Sequence, residues 1–118
     1  MDKYDLETYN TIRALGIPAH VKGYEYIKSA ARYLRSHPQA IHRITTELYV
    51  EVAKEHNITP SRIERGIRHA ISISRADHET WMRVLGRSIK ITNSEFLATL
   101  NEVAREKLAL AEEMMVSK

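Results

Sequence analysis

Cysteine is absent from the 118 residues. That absence removes a disulfide framework, a thiolate zinc site and a cysteine nucleophile together, and it suits a reducing cytoplasm. Glycine and proline are scarce, at four and three, so a chain of short strands joined by tight turns is not expected. No apolar run approaches the roughly 20 residues of a membrane span. The acidic start Asp2-Lys3-Tyr4-Asp5 has no signal-peptide character, so no membrane partner is expected. A strong excess of one charge is missing too. Eighteen Lys and Arg against fifteen Asp and Glu give +3, a surplus too mild to name a partner, so the placement of charge has to decide.

What is present favours helix. Ala, Leu, Glu, Lys, Arg and Ile are spread along the whole chain, and its length suffices to bury one core, so a single all-α domain of six helices is expected. The first helix, about Asp5 to Leu15, carries Leu6, Tyr9, Ile12 and Leu15 at helical spacing and stops at Gly16-Ile17-Pro18. A second begins between Ala19 and Gly23, turns Ile27, Ala30, Ala31 and Leu34 inward, and ends before Pro38. The third runs from about Thr45 to His56 with Leu48, Val52 and Ala53 inward. Thr59 then supplies an N-cap and Pro60 a first helical residue for a fourth that continues to about Ser74. Asp77 caps a short fifth helix ending at Leu85-Gly86, in which Trp81 reads as core. Thr92-Asn93-Ser94-Glu95 has the form of a capping box before a last helix striped by Leu97, Leu100, Ala104, Leu108, Ala111 and Met115.

The third and fourth helices have helix-turn-helix spacing. A small Ala53 allows close crossing, Asn57 tolerates positive φ, and Ile58 and Ile63 fix the crossing from beneath. At about 100° per residue, Ile63, Ile67, Ala70, Ile71 and Ser74 fall on one arc of the fourth helix. Ser61, Arg62, Arg65, Arg68, His69 and Ser72 fall on the other, with Glu64 on its margin. An i,i+4 pair between Glu64 and Arg68 can neutralise one arginine, which leaves Arg62 and Arg65 without an acidic neighbour on their own helix. Such a face suits guanine edges, which arginine grips bidentately, and phosphates, while Glu64 can accept from cytosine. Gly66 lies inside this helix at a propensity cost, which points to close helix packing.

Four stretches carry a resemblance. Gly16-Ile17-Pro18-Ala19-His20-Val21-Lys22-Gly23-Tyr24-Glu25-Tyr26-Ile27 is similar to a signature of the effector domain of the bacterial sporulation-initiation response regulators. Ile44 to Tyr49, Thr59 to Ile71 and Thr92 to Ala98 follow in the family's order. The resemblance implies a six-helix domain whose fourth helix enters the major groove at a short box like TGTCGAA, often with two copies bound in tandem. It implies that Arg62, Glu64 and Arg65 face base edges, and that Ser61, Arg68 and His69 contact bases or phosphates. Family members act on transcription through the polymerase sigma subunit. Val50 stands where the family usually has proline, Ser74 stands near a usual tryptophan, and the loop before Thr92 is shorter and less basic. Residues 1–118 are expected to form the effector domain alone, without a receiver domain.

Other chemistries find less support. The six histidines, His20, His37, His42, His56, His69 and His78, form no His-x3-His pair, so neither metal nor cofactor is expected. No nucleophile motif or phosphate-cradling loop is present, which argues against an enzyme. The competing reading is a helical adaptor or anti-activator that binds protein through its last helix, the basic arc then serving solubility.

Overall fold

The computed structural model describes residues 2–116. Asp2 starts the first helix, α1 (Lys3–Ala14), by accepting from the Asp5 N–H, and Tyr9 and Ile12 face the core. Helix α1 ends where Gly16 turns with φ +69°. The Gly16 carbonyl accepts from the Arg75 N–H at 2.9 Å, and a Cβ there would lie 2.6 Å from the Ala76 nitrogen. Only glycine fits both the dihedral and the approach. This junction ties the α1 exit to the chain leaving the fourth helix.

Helix α2 (Lys22–Ser36) crosses the middle of the molecule and buries Tyr24, Tyr26, Ile27, Ala30, Ala31 and Leu34. Pro38 ends it, and a 3₁₀ turn (Pro38–His42) and a π-helical turn (Ile44–Leu48) then lead into α3 (Tyr49–His56). The π turn widens the expected start of the third helix: the Leu48 N–H reaches back five residues to the Arg43 carbonyl at 3.1 Å. Helices α4 (Pro60–Ser72), α5 (His78–Leu85) and α6 (Asn93–Val116) follow. Six α-helices and no strand stand among the described residues, as the composition predicts.

Trp81 is fully buried against Phe96. Its indole N–H donates to Ser74 Oγ at 2.9 Å, and that hydroxyl donates to the Leu15 carbonyl. Ser74, on the predicted inner arc of the fourth helix, is therefore a polar junction of three segments.

Not every apolar position on helical spacing is covered. Leu6 is 49 % exposed and borders an open groove with Leu108, Ala111, Glu112 and Met115 of α6. The α6 stripe is buried at Leu97, Leu100 and Ala104, half-buried at Leu108 and exposed at Ala111 and Met115. The helix outruns the body that covers its first half. No helix among the described residues is long and apolar enough to cross a membrane.

Candidate nucleic-acid interface

The turn between α3 and α4 is built as its residue types require. Asn57 takes the left-handed conformation (φ 54°, ψ 47°), and the Ile58 N–H closes back on the Ala53 carbonyl at 3.1 Å. Ala53 and Ile63 are buried and Ile58 packs at the core margin. Thr59 Oγ1 accepts from the Arg62 N–H at 3.3 Å, and Pro60 occupies the first turn. Capping and proline fix where α4 begins, and therefore which side chains its first two turns turn outward.

Depth is set from behind by two glycines. A Cβ on Gly23 of α2 would lie 2.0 Å from the Gly66 carbonyl oxygen, and one on Gly66 would lie 2.7 Å from the Tyr26 ring. Gly66 thus serves close helix packing, as expected, but its neighbour is α2 rather than the adjacent α3. The two backbones nearly touch, so α4 is held against the central helix with its buried row of Ile63, Ile67, Ala70 and Ile71.

The outward face matches the helical wheel. Ser61, Arg62, Arg65, Arg68 and His69 are exposed, and Glu64 is partly exposed at the margin. Arg68 Nη1 pairs with Glu64 Oε1 at 2.5 Å, the i,i+4 contact expected from the spacing. Arg65 Nε donates to the Ser61 carbonyl at 3.4 Å. Among the described residues no carboxylate pairs with Arg62 or Arg65. Two guanidinium groups thus stand on one exposed face with donors that no carboxylate among the described residues occupies.

The structure adds residues that reading the fourth helix alone leaves out. Thr45 at the π turn, Glu64 and Arg68 of α4, and Asn93 and Ser94 of α6 line one groove. Asn93 Nδ2 donates to the Glu64 carbonyl at 3.0 Å and to the Tyr49 hydroxyl at 3.1 Å, pinning the start of α6 to α3 and α4. The capping box that positions Asn93 is visible in sequence, but its tertiary neighbour is not. Thr92 Oγ1 accepts from the Glu95 N–H at 3.1 Å while Glu95 Oε1 accepts from the Thr92 N–H at 3.4 Å.

The histidines do different work. His56 Nε2 lies 2.8 Å from Ser29 Oγ and its ring meets Tyr26 edge-on, while His37 stacks on Tyr33. Among the described residues no three His, Cys, Asp or Glu side chains converge to hold a metal ion.

The chain matches the family model for the sporulation initiation factor Spo0A C terminal over residues 8–103. That span includes the Gly16–Ile27 segment with its two packing-critical glycines, all of α2 to α5, and the capped start of α6. A sequence that matches this model over most of its length, with an exposed arginine face on the second helix of a helix-turn-helix, belongs to the Spo0A C-terminal family of DNA-binding transcription-regulator domains.

Proposed function

We propose that residues 1–118 act as one sequence-specific regulator of transcription that lays α4 in the major groove of a short TGTCGAA-like box. The observation that carries this reading is the pair Arg62 and Arg65, exposed and without a carboxylate partner among the described residues. On it Arg62 and Arg65 grip guanine edges, Glu64 accepts from a cytosine amine, and Ser61, Arg68 and His69 contact bases or phosphates. Because Arg68 already holds Glu64, the pair orients both side chains and leaves Glu64 its second oxygen for a base. Thr45 and Ser94, across the groove from Arg68, are added as phosphate contacts.

Family membership supports two further partners, a second copy bound in tandem on the same duplex and the sigma subunit of RNA polymerase. It also supports a cytoplasmic place of action, where the DNA lies. The test is selection from a random duplex library. Enrichment of a TGTCGAA-like box supports the reading, and a flat selected population overturns it in favour of a protein-binding adaptor.

A further inference from the structure

Beyond Ala104, which is 2 % exposed, α6 continues for about three turns past the core. This stretch lies outside the residues matched by the family model. Leu108, Ala111 and Met115 recur along it at the i, i+3, i+7 spacing of a coiled-coil seam. Met115 is 75 % exposed, and together with Leu6 of α1 these side chains line a shallow groove that no described segment fills. The charges on this stretch are wrong for a lone helix. Glu112 and Glu113 lie near the negative end of the helix dipole, the last turn holds no basic residue, and neither has an ion-pair partner among the described residues.

A second copy answers both features. Arg105 and Glu112 are seven residues apart, so they occupy the same flanking position of the seam in successive heptads, with opposite charge. When two such helices run antiparallel, equivalent flanking positions meet, and Arg105 of one copy faces Glu112 of the other, twice by symmetry. A parallel pair would instead bring the two Glu112-Glu113 ends and the two like dipole ends together. We propose that two copies of this chain associate through an antiparallel, two-fold contact of their α6 ends, with Ala111 near the crossing and Leu6 flanking it. Asn93, which is bonded to α4, lies about 33 Å along the helix from Met115 at 1.5 Å per residue, so the contact leaves the arginine face open. It is distinct from a tandem arrangement on DNA, which is head-to-tail.

The seam is short and lies below the ~1,200–2,000 Å² of a standard interface, so the association is weak and concentration-dependent. Sedimentation equilibrium of the 118-residue chain without DNA tests it. A monomer–dimer equilibrium is expected, weakened about tenfold by Arg105→Glu and likewise by Glu112→Arg, since each turns two attractions into repulsions. The double variant is expected to restore self-association, and an equimolar mixture of the two single variants is expected to form a heterodimer. Unchanged helical circular dichroism and single-box DNA affinity in these variants separate this contact from folding and from DNA reading. A monomer at all concentrations overturns the proposal, as does a dimer indifferent to both charge reversals.

Discussion

Single side chains divide the exposed face of α4 into groups that are free and groups that are held. Arg62 and Arg65 lack carboxylate partners among the described residues, whereas Arg68 spends one nitrogen on Glu64. Replacing Arg65 by alanine is therefore expected to cost about 1–3 kcal/mol of binding and to relax preference at one base position, read by titrating a panel of single-base variants. An equal loss on every duplex would assign Arg65 to a phosphate instead. Behind that face, Gly23→Ala is expected to destabilise the fold more than Gly66→Ala. The first sets a methyl against a backbone carbonyl at 2.0 Å, the second against a ring edge at 2.7 Å. Overpacking costs typically about 1–3 kcal/mol or more, and at Gly66 a helix-propensity gain of about 0.8–1 kcal/mol offsets part of it. Urea denaturation of both variants checks the order. The cost of Gly66 was legible in sequence because it interrupts a helix, but Gly23 has a meaning only once α2 and α4 are seen to cross.

At the scale of helices and turns, the caps decide where each functional side chain starts. Thr59→Ala removes the acceptor for the Arg62 N–H and is expected to cost about 1 kcal/mol of stability, visible as a lowered thermal midpoint. Three hydrogen-bonded carboxylates also contribute to the pH dependence of stability. Hydrogen bonds from Thr80 hold Asp77 below its ordinary 3.8. Hydrogen bonding from Thr92, and then from Arg87, holds Glu95 below 4.5. The Tyr33 hydroxyl, 2.7 Å away, is the largest influence holding Glu47 below 4.5. A carboxyl with a lowered folded pKa binds its proton more readily when unfolded, so its stabilisation is present above 4.5 or 3.8 and is lost as pH falls through the depressed values. The same contact pushes the Tyr33 phenol up from 10.0 to about 12, so its share is complete below pH 10 and disappears as pH rises through about 12. Thermal melts across pH are expected to show a shoulder of lost stability below pH 4.5 that Glu95→Gln reduces. Helix starts were readable because caps are local: Thr59, Asp77 and Thr92 each signal from within four residues. The π turn was not, since Ile44-Thr45-Thr46-Glu47-Leu48 differs from an α-helical turn in which carbonyls the Leu48 and Tyr49 N–H groups reach, those of Arg43 and Ile44 five residues back. The turn at Pro38–His42 is too short for periodicity to register.

The whole molecule spans 49 × 31 × 24 Å, elongated for its length and drawn out further by an α6 of 24 residues. Periodicity identified the apolar stripe of α6 correctly, but it reports which face is apolar and not whether a neighbour arrives to cover it. Leu97 and Leu100 are fully buried, while Met115, beside Leu6 at an open groove, stays largely exposed. The net charge of +3 likewise hides a local concentration of arginine that emerges only when α4 is capped, docked and turned. The central claim is that this concentration reads base sequence. Its most direct measurement is the equilibrium affinity for a duplex carrying a TGTCGAA-like box and for a shuffled duplex of equal length, each across a salt series. The account predicts affinity falling steeply with salt for both, from phosphate contacts, and a preference for the box of at least about a thousandfold that Arg65→Ala reduces. Equal affinity for the two duplexes at every salt concentration would contradict it.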